Sequence, residues 1–133
     1  MVILNNCQEN NIGEDRMIKK HEIGKFGEDV ATRFLQQKDY KILERNFRCK
    51  QGEIDIIAKE NNYLVFVEVK TRSNLYFGTP AEAVTYSKRQ HIIKSAKVYL
   101  KINNIKDILI RFDVVEVYIL KNRCKVNQIK QIM

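Results

Sequence analysis

A chain of 133 residues has room for one domain with a real core and little for a second. Its 24 Lys and Arg against 16 Asp and Glu leave a formal charge of +8, which favours a polyanionic partner and supports phosphate contacts, although no base-reading motif accompanies it. No apolar run approaches the roughly 20 residues of a membrane-spanning helix, and three widely spaced cysteines, Cys7, Cys49 and Cys124, an odd number without a Cys-x-x-Cys pair, read as reduced thiols rather than disulfides or a zinc site.

Residues 1–20 are rich in Asn, Glu and Lys and lack the apolar centre of a signal peptide. They are expected to form a flexible N-terminal extension of a cytoplasmic protein, with Met17 a candidate start and residues 21–133 the folded domain. From His21 to Gln37 the apolar positions Ile23, Phe26, Val30, Phe34 and Leu35 recur at helical spacing. Glu28, Ala31 and Leu35 fall at i, i+3 and i+7, which puts Glu28 on the border of the buried stripe, either looking into a site on a sheet or exposed in mid-helix. Tyr40–Phe47 reads as a strand, followed by a basic connection into Gly52 and a hairpin over residues 52–72. The loop from Arg72 to Gly78 carries Leu75, Tyr76 and Phe77 and is expected either to pack or to act as a flap. Thr79-Pro80-Ala81-Glu82 has the residues of a capping box with proline at the first helical position, and Ser87-Lys88-Arg89-Gln90 offers a second helix start. A short turn through Ala83 and Val84 and then a long helix with Ile92, Ile93, Ala96, Tyr99 and Leu100 on its core side are predicted. Lys88 and Arg89 stand in that helix's first turn, where the macrodipole prefers acids, so a phosphate nearby is a natural counterweight. Asp107–Leu120 is a β-rich strand interrupted by Arg111, Asp113 and Glu116, and Cys124–Ile132 a candidate edge strand. Helix, three strands, helix and one or two strands suggest an α/β sandwich around a mixed sheet, the second helix allowing a parallel return.

The hairpin carries the chemistry. Asp is disfavoured in strands, and an ionised carboxylate among Ile, Val and Phe needs a cation or hydrogen-bonding partner. With a two-residue loop at Asn61-Asn62, residue 60 faces 63, so Asp55 lies opposite Glu68 and Glu53 opposite Lys70 on one side of the sheet. Facing Cβ atoms are roughly 4.5–5.5 Å apart, close enough for both carboxylates to reach one magnesium ion. The competing reading is a cross-strand ion-pair ladder, with Glu53 paired to Lys70 or Arg72 and Asp55 satisfied by a nearby amide.

Asp55 followed by Glu68-Val69-Lys70 resembles the PD-(D/E)xK signature of restriction-endonuclease-like nucleases, with Ile54 where the proline of that name stands. A longer ordered set is similar to the YraN-type uncharacterised bacterial family, on the branch that resembles Holliday junction resolvases. It comprises Gly24-x-x-Gly27-Glu28-x-x-Ala31, Arg45-Asn46, Gly52-Glu53-Ile54-Asp55-x-Ile57-Ala58, Phe66-Val67-Glu68-Val69-Lys70-x-Arg72, Phe77-Gly78 and Arg111-Phe112-Asp113-Val114-Val115.

The resemblance implies a restriction-endonuclease-like sandwich of order α-β-β-β-α-β(-β) and metal-dependent hydrolysis of DNA phosphodiester bonds, with branched or processed DNA as one substrate class. On the positions that match, it implies magnesium or manganese held by Asp55, Glu68 and the Val69 carbonyl, Lys70 assisting the attacking water, and Glu28 completing the site; Glu53 belongs to the motif without an assigned role. Arg72, Lys88 and Arg89 are the candidates for gripping the nucleic-acid backbone. A non-cleaving DNA-binding module within a processing complex and a protein-interaction subunit both stay open, as does a homodimer.

Overall fold

Chain order is β1 (Val2–Asn5), α1 (Lys20–Gln37), β2 (Lys41–Cys49), β3 (Gly52–Glu60), β4 (Tyr63–Ser73), α2 (Tyr86–Ile102), β5 (Leu109–Ile119) and β6 (Arg123–Ile129). These elements come from a computed structural model that describes residues 2–5, 20–73, 85–121 and 123–133. Among the described residues six strands form one sheet in the order β1-β6-β5-β4-β3-β2. Only β4 and β5 run parallel, Tyr63 opposite Leu109 through to Ser73 opposite Ile119. The chain needs a crossover to make that parallel return, and α2 lies within it.

The sheet separates two apolar layers. Ile56, Ala58, Val65 and Val67 share a core with Ile23, Val30, Ala31, Phe34 and Leu35 of α1, while Ile57, Leu64 and Phe66 share the other with Ala96 and Tyr99 of α2. Alternating side chains on β3 and β4 thus feed both faces, which is why these central strands read as nearly unbroken apolar runs. Each fully buried Ile, Val, Leu or Phe contributes roughly 1.5–3 kcal/mol, and Tyr99 adds edge-on contacts to Phe47 and Phe66 at centroid separations of 5.3 and 6.0 Å.

Local chemistry sets the ends. Asp39 takes φ 66° after α1, and the Tyr40 N–H returns to the Leu35 carbonyl at 3.0 Å, so the helix stops in a left-handed cap. Thr85 caps α2, its hydroxyl accepting from the Lys88 N–H at 3.2 Å. The start expected at Ser87 is thereby preempted two residues earlier. Gly27 lets α1 press onto β4: a Cβ there would sit 1.9 Å from the Thr71 hydroxyl oxygen.

Three expectations change. Residues 2–5, inside the stretch read as a flexible extension, form a strand paired with β6, Leu4 facing Cys124; β6 is therefore an interior strand and not the edge. Cys49 is a free thiol, but Cys124, fully buried on β6, is disulfide-bonded, so the reading of all cysteines as reduced thiols does not hold. The loop bearing Leu75, Tyr76 and Phe77 and the turn through Ala83 and Val84 lie outside the described residues. No helix among the described residues is long and apolar enough to cross a membrane.

Candidate functional site

Asn61 adopts φ 52°, the left-handed conformation that its side chain tolerates, and closes the β3–β4 hairpin. Pairing runs from Glu60 opposite Tyr63 to Ile56 opposite Val67, the register expected from a two-residue loop. Beyond it the strands part. Continued pairing would give the Val69 N–H to the carbonyl of Ile54; instead it donates to Asp55 Oδ2 at 2.8 Å. Asp55 thus takes the place of a rung of the ladder where the pairing of β3 with β4 ends.

Asp55 and Glu68 are 7% and 6% exposed, and they stand near enough for the charge of Glu68 to act on the Asp55 carboxyl. Burial pushes the Asp55 carboxyl up to about 8, helped by the charge of Glu68 and by that of Glu28 farther off, while the Val69 N–H works in the opposite direction. Two ammonium groups compensate Glu68. Lys88 Nζ stands 2.5 Å from its Oε1, and Lys70 Nζ 3.7 Å from the same oxygen. For Lys88, burial opposes the charged form, but the hydrogen bond and charge of Glu68 outweigh it and raise its pKa.

Glu28 borders this group from α1. Burial raises its carboxyl against the Arg45 guanidinium and a hydrogen bond with Asn46, and its charge in turn acts on Asp55. Ala31 and Leu35 on the same helical face are fully buried, as the spacing implied. Beside Glu28, Arg45 bonds to Asp29 at 2.7 Å and lines an open groove of about 430 Å³ with Phe26, Thr32 and Arg33.

The remaining expected residues fall at different distances from the chemistry. Glu53 faces Arg48 on β2, 3.4 Å away, rather than Lys70 or Arg72, because β2 supplies a partner on its other side. Arg72 is committed to Glu116 of β5 at 3.3 Å, and Glu116 also accepts from Tyr118 and Asn127. Arg89 is exposed on the first turn of α2, whereas Lys88 of the same turn points inward. Val69 is half-buried and paired with Val115. His91 holds the Gln51 carbonyl at 2.8 Å and so ties α2 to the β2–β3 turn.

Among the described residues no three His, Cys, Asp or Glu side chains gather in a group able to hold a metal. A divalent cation here would rest on two carboxylates. That donor set fits magnesium or manganese, hard ions that keep several waters and take further oxygens from a substrate phosphate. The fit rests on two buried, neighbouring carboxyl groups, one of them with a raised pKa, an arrangement that added positive charge relieves.

A second polar cluster was only partly legible. Asp113, fully buried, accepts from Arg111 Nε and Nη2 at 2.9 Å each, from Gln128 at 2.9 Å and from the Gln131 N–H at 3.1 Å. Arg111 also reaches Tyr40 at 2.6 Å and Glu60 at 3.0 Å. The cluster ties the exit of α1, the hairpin end, β5 and the C-terminal segment together. Its sequence signal is an Arg and an Asp two apart in an apolar strand, on one face. Lys88 as a partner of Glu68 had a weaker signal, a basic residue where a helix start prefers acids.

The model described as "Uncharacterised protein family UPF0102" matches residues 27–117. A UPF0102 protein of Caldanaerobacter subterraneus is 45% identical over 118 residues, covering 89% of this chain and 97% of the relative. One from Clostridioides difficile is 54% identical over 102 residues, 77% and 90% of the two chains, and one from Caldicellulosiruptor saccharolyticus 52% identical over 101, 76% and 86%.

Proposed function

Because this chain belongs to the uncharacterised family UPF0102, whose name carries no activity, we propose from the site itself a metal-dependent nuclease that hydrolyses phosphodiester bonds of DNA in the cytoplasm. The observation that carries this reading is the buried pair of neighbouring acids Asp55 and Glu68, the latter flanked by Lys70 and Lys88. Asp55, Glu68 and the Val69 carbonyl are the proposed ligands. Magnesium or manganese, when bound, neutralises the phosphate oxygens and eases loss of a proton from the attacking water. Lys70, on the same face as Glu68 and two residues on, directs its ammonium to that water and to the charge developing on the scissile phosphate. Glu28 lends a third negative charge from α1 and orients solvent at the rim. Arg89, which is exposed, is the proposed grip on a flanking phosphate; Arg72 serves only by leaving Glu116.

The test is incubation with single-stranded, duplex and branched DNA in magnesium or manganese, comparing wild type with Asp55→Asn and Lys70→Ala. Metal-dependent products from the wild type alone support the nuclease. Equal activity in all three proteins would point to contamination and remove the enzyme reading. A second reading is favoured by one observation, that Glu68 is already compensated by two ammonium groups. On that reading the chain is a nucleic-acid-binding module that does not cut, and DNA binding is salt-sensitive with no metal-dependent product.

A further inference from the structure

Resting on the nuclease reading of the Asp55–Glu68 pair, the geometry points to Lys88 as an exchangeable internal counter-ion, which holds Glu68 until a divalent cation enters and is then released to a nucleic-acid phosphate. Lys88 Nζ lies 2.5 Å from Glu68 Oε1, nearer than Lys70 at 3.7 Å. The two lysines differ in what holds them. Lys70 belongs to the same strand as Glu68 and its side chain is 17% exposed; Lys88 reaches across from α2 and is 43% exposed. A divalent cation at Glu68 cannot share one carboxylate oxygen with two ammonium groups without strong like-charge repulsion. The group that leaves is the one whose long side chain already reaches solvent and can swing without disturbing the sheet.

Its destination is the outward-facing start of α2. The first turn of α2 contains no acid, Arg89 is exposed beside Lys88, and the freed ammonium joins the helix's own N–H groups in facing outward. Metal and DNA then reinforce one another, since each favours the arrangement with Lys88 off Glu68. Lys88 is in this account a positioning residue that couples two ligands.

The experiment uses the full chain and two titrations. Manganese binding without DNA is followed by calorimetry, and binding of a short fluorescent duplex by anisotropy with and without manganese. Lys88→Met is expected to bind manganese ~3–10-fold more tightly than wild type, and to lose most of the gain in DNA affinity that manganese gives the wild type. Lys88→Arg is expected to restore both behaviours. Manganese affinity in Lys88→Met equal to or weaker than wild type, or an undiminished manganese effect on its DNA binding, overturns the inference and leaves the nuclease reading standing. A wild type that binds no manganese overturns both. Should Lys88→Met fail to fold, Lys88→Gln makes the same comparison.

Discussion

Two residues decide the electrostatics of the candidate site. Folded Asp55 keeps its proton to higher pH than an unfolded chain would, because burial and Glu68 lift its carboxyl from 3.8 to about 8. The folded state therefore binds more protons than the unfolded one across that window, and stability falls as pH rises through it. Asp55→Asn, which keeps an acceptor for the Val69 N–H, is expected to melt roughly 3–10 °C above the wild type at about pH 8 without metal, and level with it at about pH 4. Melting curves at both pH values check this; a variant less stable at the higher pH would contradict it. Asp113 shows the opposite use of a buried acid. It is fully compensated by Arg111, Gln128 and the Gln131 N–H, so Asp113→Ala leaves the buried Arg111 guanidinium with Glu60 and Tyr40 alone and is expected to remove about 3–5 kcal/mol of stability. Denaturant unfolding reads that loss, and a change below about 1 kcal/mol would mean the cluster is not structural.

Among the elements, the hairpin was the most legible, because Asn61-Asn62 and the alternation of side chains fix a register in which a one-residue slip would turn Asp55 to the other face. What single-strand reasoning missed came from third partners. β5 lies parallel to β4 with Lys70 opposite Glu116, which brings Glu116 within reach of Arg72. β2 brings Arg48 to Glu53. α2 brings Lys88 to Glu68 from twenty residues along the chain. Pairings of that kind depend on sheet order and helix placement, and no local pattern encodes them. Helix α1 supplies an element-level test. Gly27→Ala would drive a methyl into Thr71, pushing α1 and Glu28 away from β4, whereas Gly24 has nothing within 4 Å. Gly27→Ala is expected to cost about 1–3 kcal/mol, while Gly24→Ala stays neutral or gains up to about 1 kcal/mol from helix propensity. Thermal melts of the pair check the difference, and equal effects would contradict the close approach.

At the scale of the whole molecule, the order of helix, three strands, helix and strands, with its parallel return, was readable from periodicity and caps. The strand at residues 2–5 and the interior place of β6 were not, since four residues in a polar stretch carry too little pattern to announce a sheet partner. Net charge is the other global property. With +8 on 133 residues, duplex affinity is expected to fall about 100-fold or more between about 50 and 200 mM salt, the behaviour of several released counterions. Anisotropy titrations across that range test it, and an affinity indifferent to salt would exclude a phosphate-dominated contact.

Diffraction from crystals grown with manganese tests most directly whether Asp55 and Glu68 share one cation. The predicted result is an anomalous peak about 2.0–2.3 Å from one oxygen of Asp55 and one of Glu68, with the Lys88 ammonium moved off Glu68. Manganese bound elsewhere, or absent at concentrations that saturate ordinary two-carboxylate sites while Lys88 remains on Glu68, would contradict it.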